Sequence, residues 1–175
     1  SIANQWESVS FTTSFDATPI VLSQIQTKSA SGEGYLKTRH WTTSNSSVNL
    51  ALEQEEAVAT THTTETVGYL AIDGGVGTWN DMAYDARRTL VNINQDFTPV
   101  TYATTFSTNP SLLSSLTSYY GSDNAHLRYT NPSASGVELK VGEDTTADTE
   151  TNHTQEQASY LAIGGQGMLT ALEPQ

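Results

Sequence analysis

The sequence places a histidine and a glutamate three residues apart at two positions, His62 with Glu65 and His153 with Glu156. An imidazole and a carboxylate at this spacing are groups that ligate metal ions or transfer protons. Both pairs open nearly the same stretch, HTTETVGYLAI in the first case and HTQEQASYLAI in the second. Because the stretch is repeated, we interpret it first as a duplicated β-strand whose entry is fixed by the histidine and the glutamate.

The duplication extends along the whole chain. Val9 and Pro19 have counterparts 91 positions later, Arg39 has one 89 positions later, and the histidine motif returns to an offset of 91. Both changes of offset fall in stretches rich in Gly, Ser and Asp, where loops tolerate insertions. We therefore predict two copies of one fold, residues 1–87 and residues 88–175.

Each copy has the period-two pattern of half-buried antiparallel strands, as where Val48 and Leu50 alternate with polar residues. Pro and Gly lie between such segments, and helical patterns are nearly absent. The sequence predicts an all-β protein of two tandem antiparallel β-sandwich modules, with about six strands each. In the last strand of the first copy we expect Leu70 and Ile72 to face the core and Tyr69 to lie on the opposite face.

Seven basic residues against nineteen acidic ones give the chain a net charge of −12. This charge argues against nucleic acids and anionic membranes, which attract basic surfaces, and more weakly against sulfated polymers. No apolar run approaches the ~20 residues of a membrane span. The absence of cysteine leaves no disulfide framework to predict. A neutral ligand or a cation fits this composition best.

A family resemblance rests on the order TPIVLSQIQT, Arg39, SSVNLAL and YLAI, and less closely on NPSLLSSLTS, Arg128, SGVELKV and YLAI. This order resembles the H-type lectin domain. The resemblance implies a six-stranded antiparallel β-sandwich that binds galactose-type sugars, often as a trimer with the site near a subunit boundary. It also implies a sugar-contacting arginine at Arg39 and Arg128 and a structural aromatic residue at Tyr69 and Tyr160. The repeated histidine motif is similar, too, to tandem modules of large bacterial extracellular proteins.

Aromatic side chains stack on the apolar faces of sugar rings, while Arg, Asp, Asn, Glu and His bind the hydroxyl groups. Aromatic residues flank corresponding loops of the two copies, and the second of these loops, GSDNAH, is rich in polar side chains. For the arginines and for the histidine–glutamate pairs, a structural ion pair or hydrogen bond remains the alternative to ligand contact. The predicted ligand-binding residues are Tyr35, Arg39, Trp41, His62, Glu65, Tyr119, Tyr120, Asp123, Asn124, Arg128, His153 and Glu156.

The sequence therefore predicts non-catalytic carbohydrate binding by part of a larger secreted or cell-surface bacterial protein. The expected partner is a glycan or polysaccharide, neutral rather than anionic, with neither nucleic acid binding nor membrane insertion; an oligomer is compatible with the pattern. No nucleophile elbow, HExxH motif or phosphate-binding loop is present, so we expect neither catalytic residues nor a required cofactor.

Two alternatives remain open. The chain is also compatible with a structural spacer or adhesin repeat that has no ligand of its own, a role that suits acidic, Thr-rich β-modules. The acidic stretch GEDTTADTETNH leaves open a calcium-dependent adhesion module, because carboxylate oxygens are the ligands that Ca²⁺ prefers.

Overall fold

A computed structural model describes residues 5–29, 34–58 and 62–167 of the chain. Over these residues every strand pairing is antiparallel and no helix occurs, which confirms the predicted all-β fold. The same residues contain no helix with the length and apolar character needed to cross a membrane. The strands are β1 (Glu7–Ser10), β2 (Ile20–Ile25), β3 (Leu36–Thr43), β4 (Ser47–Gln54), β5 (Val67–Ile72), β6 (Gly75–Trp79), β7 (Met82–Arg88), β8 (Thr98–Thr101), β9 (Ser111–Leu116), β10 (Ala125–Thr130), β11 (Gly136–Glu143) and β12 (Ala158–Ile163).

Five strands of the first copy recur in the second in the same order. The first residues of β1, β2 and β5 precede those of β8, β9 and β12 by 91 positions, and those of β3 and β4 precede β10 and β11 by 89. The pairing is repeated as well: β4 lies between β1 and β3 as β11 lies between β8 and β10, and β2 pairs with β5 as β9 pairs with β12. Even the register agrees, since Val9 opposes Val48 and their counterparts Val100 and Val137 oppose each other. The sequence repeat is therefore a structural repeat.

In each copy a three-stranded sheet packs on a second sheet to enclose a core. Alternating apolar residues of β4 and β11 point into these cores, as the period-two pattern predicts. The first core contains Val21, Val48, Leu50 and Leu52. The larger second core contains Ile93, Tyr102, Phe106, Leu116, Ala125, Val137, Leu139, Val141, Ala158, Tyr160 and Ala162.

A third apolar cluster lies between the copies. Ile20 and Leu22 of β2 pack there against Ala86 of β7 and Leu161 of β12, so the two sandwiches stack through their inner sheets. The prediction that Leu70 and Ile72 of the last strand face the core of their own copy was therefore wrong. In β12, the side chains of Ala158, Tyr160 and Ala162 face the core of their own copy, whereas those of Leu161 and Ile163 face the other copy. Both faces of β12 are buried, and alternation alone does not say which apolar face belongs to which core.

The strands β6 and β7 form a hairpin attached to the second copy. Asn80 and Asp81 connect them with φ angles of 48° and 64°, the left-handed conformation that a tight two-residue hairpin turn requires. The strand β7 pairs with β12, which gives a four-stranded sheet in the order β6-β7-β12-β9. The sequence boundary at residues 87 and 88 thus cuts β7 near its end, and it stays a prediction.

Candidate functional site

The two glutamates of the repeated motif hold the loops that follow β2 and β9. Glu156 is fully buried and accepts hydrogen bonds from the backbone N–H groups of Tyr120, at 2.9 Å, and Gly121, at 3.0 Å. It also accepts the hydroxyl of Ser118, whose oxygen in turn accepts the N–H of Gln157 at 2.7 Å. A carboxylate that collects several donors in this way fixes the backbone that supplies them.

The first copy contains the same arrangement. Glu65 accepts the hydroxyl of Thr27, and its two carboxylate oxygens lie 2.8 and 3.0 Å from the N–H nitrogen of Ser29. The hydroxyl oxygen of Thr27 in turn accepts the N–H of Thr66 at 2.8 Å. Thr27 and Ser29 are the counterparts of Ser118 and Tyr120, so the retained glutamate has a loop-anchoring role in both copies. This arrangement corresponds to the structural alternative that the sequence left open.

The two histidines differ in their surroundings. The imidazole of His153 is buried between two carboxylates, with Nδ1 hydrogen-bonded to Glu143 and Nε2 3.4 Å from Oε1 of Glu156. Burial acts to lower the pKa of His153, but the hydrogen bonds to the two glutamates outweigh it and raise this pKa. The buried His62 has Nδ1 3.0 Å from the carbonyl oxygen of Thr63. An offset of 89 aligns Gln54 with Glu143, so the first copy lacks the second carboxylate.

The pKa of Glu156 shifts in the complementary direction. Burial alone would raise the pKa of this carboxyl, but the hydrogen bonds from His153, Ser118 and Gly121 and the charge of Arg39 hold it below its usual value. The histidine and the glutamate are therefore a buried hydrogen-bonded pair, in which each group favours the charged form of the other. Such a pair stabilises the loop that it binds, with no open face on which a substrate would meet the imidazole.

Arg39 connects the two copies. It lies on β3 of the first copy with 1% of its side chain exposed, and its Nη2 is 3.3 Å from Oε1 of Glu156 in the second copy. Its Nη1 is 3.2 Å from Glu53, and its guanidinium also donates to the carbonyl oxygens of Ala125 and Ser118, each at 3.4 Å. Arg39 thus makes the structural ion pair that the sequence left open as the alternative to ligand contact, and its partner Glu156 belongs to the other copy.

An aromatic cluster covers this buried arginine. The guanidinium carbon of Arg39 lies 4.9 Å from the centre of the Tyr119 ring, a cation–π distance. Trp6 lies beside both Tyr119 and Trp41, with ring centres 5.1 and 5.6 Å apart. Trp41 is 49% exposed, and the neighbouring Tyr120 is 61% exposed. We call the rings of Trp6, Trp41 and Tyr119, together with the exposed Tyr120 that follows Tyr119 in the chain, the aromatic surface; it combines residues of both copies.

A cleft of about 450 Å³ opens beside the start of β3. Three predicted site residues line it: Tyr35, Asn124 and Arg128. Arg128 is exposed there, unlike its counterpart Arg39, and Lys37 and Asp144 add charges of both signs. A second groove of about 580 Å³ between β2, β5 and β9 contains none of the predicted site residues.

The structure thus divides the twelve predicted site residues among several places. Arg39, Trp41, Tyr119, Tyr120, His153 and Glu156 come together at the junction of the copies; Tyr35, Asn124 and Arg128 line the cleft; His62 and Glu65 lie by the corresponding loop of the first copy; and Asp123 is exposed in the loop after Tyr120. Their role in ligand binding stays a prediction.

Sequence reasoning missed two residues of this region, Trp6 and Glu53. Trp6 lies just before β1, and its only sequence signal is that it is one of three tryptophans in the chain. Glu53 continues the alternation of β4 on the side of Lys37 and Arg39, which both lie within 4 Å of it. A search for carboxylates opposite the arginine strand would have found Glu53.

No group of three or more His, Cys, Asp or Glu side chains within the described residues is placed to hold a metal ion. In the acidic stretch after β11, Asp144 accepts two backbone N–H groups, that of Thr146 nearby and that of Glu56 in the first copy, each at 2.9 Å.

Gly121 gives a direct test of how tightly this site is packed. A Cβ atom on Gly121 would lie 2.7 Å from Cε1 and Nε2 of His153, closer than real carbon atoms approach. We expect Gly121→Ala to lower the free energy of unfolding by about 1–3 kcal/mol, because the buried imidazole must move away from its carboxylates. Urea unfolding at pH 7 measures this. The control is Gly74→Ala, where the nearest atom is 3.5 Å away; equal effects of the two substitutions would contradict the tight packing.

Among curated proteins, the chain is similar to Halomucin of Haloquadratum walsbyi (strain DSM 16790 / HBSQ001), with 23% identity over 168 residues. The alignment covers 94% of this chain but 2% of Halomucin, so the chain corresponds to a small part of that relative. No family model matches the chain, and no solved structure matches it significantly.

Proposed function

We propose that this chain is a carbohydrate-binding part of an extracellular or cell-surface protein, with the aromatic surface as the place where a sugar ring stacks. The observation that carries this proposal is the exposure of two aromatic side chains beside a buried arginine: Trp41, whose ring lies beside Trp6, and Tyr120, the chain neighbour of Tyr119. Exposed aromatic residues held in a rigid group are unusual on a soluble surface, and stacking on apolar sugar faces is a chemistry that they suit.

The buried network supports this role by positioning the aromatic surface. Glu156 fixes the backbone at Tyr120 and Gly121, and Arg39 lies beneath the Tyr119 ring. A rigid surface loses little conformational entropy when a ligand binds. The resemblance to the H-type lectin domain supports the same class of ligand but places the sugar contact on Arg39. Because Arg39 is buried, we propose that it acts through Tyr119 instead.

Two further observations support the proposed partner and location. The net charge of −12 favours a neutral glycan over a sulfated or carboxylated one. The similarity to Halomucin supports a location outside the cell. The counterparts of Trp41, Tyr119 and Tyr120 in the repeat are Thr130, Lys28 and Ser29, so we propose one aromatic site for the two copies together.

Glycan-array screening followed by calorimetry on the best neutral glycan tests the proposal. We expect the double variant Trp41→Ala/Tyr120→Ala to lose roughly fivefold to a hundredfold in affinity, because two stacking contacts of about 0.5–1.5 kcal/mol each are removed. The melting temperature should change little, since both side chains are exposed. Tyr129→Ala is the matched control, because Tyr129 is also exposed, at 58%, but belongs to β10 and not to the aromatic surface.

A folded protein that binds none of the neutral glycans would overturn the proposal and favour a spacer without its own ligand. Binding that the double variant retains in full would keep the carbohydrate class but remove the aromatic surface as its site.

A further inference from the structure

We propose that the edge of β5 facing away from β2 is a docking site for a β-hairpin of the β6–β7 kind, carried by another copy of this module. The second copy shows the occupied form of the same edge. There β12, the counterpart of β5, lies between β9 and β7. Within residues 5–29, 34–58 and 62–167, β5 has one hydrogen-bonded neighbour, β2.

The backbone of β5 directs hydrogen-bonding groups to this edge. The N–H of Gln26 donates to the carbonyl of Thr66 at 2.8 Å on the β2 side, so by alternation Val67, Tyr69 and Ala71 point their groups to the other side. In the second copy the counterpart of Val67, Ala158, accepts the N–H of Thr89 at the end of β7, also at 2.8 Å. The same groups thus have a strand partner in the second copy, whereas no described strand pairs with them in the first.

The side chain of Tyr69 shows what the missing strand would cover. Its ring contacts Phe11 with 6.1 Å between centres, much as Tyr160 contacts Tyr102 at 5.9 Å, so the contacts with the core are retained. Yet Tyr69 is 40% exposed and Tyr160 is 2% exposed. The difference lies on the edge, where the Tyr160 hydroxyl donates to Asp85 of β7 at 3.3 Å.

The sequence of β5 lacks the features by which exposed edge strands avoid pairing. Its six residues, VGYLAI, contain no charged side chain and no proline. Natural edge strands usually carry a lysine, a proline or a bulge that prevents another strand from adding. Moreover, YLAI is identical to the segment of β12 that is paired on both sides. An edge with this composition is suited to accepting a strand.

The contacts of β7 define the occupant. Ala86 opposes Leu161 and Asp85 opposes Ala162, so the added strand needs a small residue opposite Leu70 and an aspartate opposite Ala71. The aspartate does more than accept the tyrosine hydroxyl: Asp85 also accepts the N–H of Ala103 at 2.6 Å and binds Arg87 through two 2.8 Å contacts. A second β5 edge carries no carboxylate, so a pair of β5 edges does not reproduce these bonds.

The offset of the repeat shows where a second hairpin must be attached so that it can pair with β5 in the correct register. The offset of 91 aligns Asn92 with Ser1. In the extended chain, a copy of residues 75–91 is therefore joined directly to Ser1. The added hairpin then precedes β1 by the same number of residues as β7 precedes β8. Hydrogen exchange by NMR then reports each amide of β5. We expect exchange at Tyr69 and Ala71 to slow by roughly tenfold or more in the extended chain, as these amides gain partners.

The control is the same extension with its copy of Arg87 replaced by proline. Arg87 opposes Tyr160, so its counterpart would donate an N–H to Tyr69 and proline has none to give. This extension should leave exchange at Tyr69 and Ala71 as it is in the unextended chain. Equal protection by both extensions, or by neither, would overturn the proposal.

A second measurement does not depend on the extended chain folding. A synthetic peptide of residues 75–91, titrated into the unmodified protein, should shift the amide signals of Val67, Tyr69 and Ala71 and leave those of β12 in place. Shifts confined to other strands, or none at peptide saturation of the NMR sample, would exclude the edge as the docking site. Dimerisation of the unmodified protein through paired β5 edges would also overturn the proposal, because it would identify a different occupant.

Discussion

Replacement of Arg39 by methionine is expected to lower the free energy of unfolding by about 3–5 kcal/mol, because it takes the buried guanidinium away from the carboxylates of Glu156 and Glu53. Methionine keeps much of the aliphatic volume, so the loss reports the charge and its hydrogen bonds rather than a cavity. Denaturant unfolding at pH 7, followed by far-UV circular dichroism, measures the effect.

The duplicated fold supplies a matched control. Arg128 occupies the corresponding position of the second copy but is exposed, and Arg128→Met should change stability by no more than about 0.5 kcal/mol. The double variant Arg39→Met/Glu156→Gln should recover part of the loss, because the uncompensated charge is gone. If Arg39→Met were as mild as Arg128→Met, the ion pair between the copies would not be a stabilising contact.

Acidification is expected to destabilise the protein through His40 before most carboxylates titrate. His40 is fully buried on β3, its Nε2 lies 2.6 Å from the Ser23 hydroxyl, and its Nδ1 has no partner within the described residues. Burial, together with the positive charges of Arg39 and Arg88, lowers the pKa of His40 to about 3. Between pH 6.5 and about 3, the unfolded chain therefore binds a proton that the folded chain does not.

The stability supplied by this neutral histidine is present above pH 6.5 and is lost as the pH falls. At pH 5 the loss amounts to roughly 2 kcal/mol relative to pH 7. The raised pKa of His153 acts with the opposite sign, because its contribution is fully present below the unfolded value and is lost at higher pH. The lowered pKa of Glu156 affects only the more acidic range, where its carboxyl becomes protonated.

The measurement compares unfolding at pH 7 and pH 5 for the wild type and for His40→Gln, which keeps a polar group beside Ser23. The variant should lose about 2 kcal/mol less on acidification than the wild type. The C2 proton of His40, followed by NMR, should show no titration above pH 4. A midpoint near 6.5 for this proton would contradict the burial argument.

Comparison of the two copies with each other made much of the fold predictable from the sequence. The changes of offset placed the loops correctly, and the alternation around Val48 and its counterpart Val137 identified the central strands of both outer sheets. The segment NPSLLSSLTSYY shows the same benefit, because its spacing alone fits a helix while its counterpart in the first copy is TPIVLSQIQT. It aligns with a clear strand, and residues 111–116 form β9. Two versions of one pattern are harder to misassign than one.

The parts that could not be predicted depend on contacts between the copies. Nothing in the sequence of β3 says that Arg39 reaches Glu156 in the other copy, since the spacing of the repeat treats each copy separately. The identical YLAI segments are buried in one copy and partly exposed in the other, because their neighbours differ. Local patterns specify strands and faces, whereas the partner of each face is decided by tertiary packing.

Arg39 and Arg128 occupy equivalent positions but do not have equivalent partners. Arg39 pairs with Glu156 of the second copy, whereas Arg128 makes no ion pair with a described residue of the first. A twofold axis between the copies would pair Arg128 with Glu65, the counterpart of Glu156. Because that pair is not formed, the copies meet through unlike surfaces, in a heterologous contact. Such a contact does not close on itself after two units. The geometry that joins the two copies is therefore that of a directional, extendable assembly rather than of a symmetric pair.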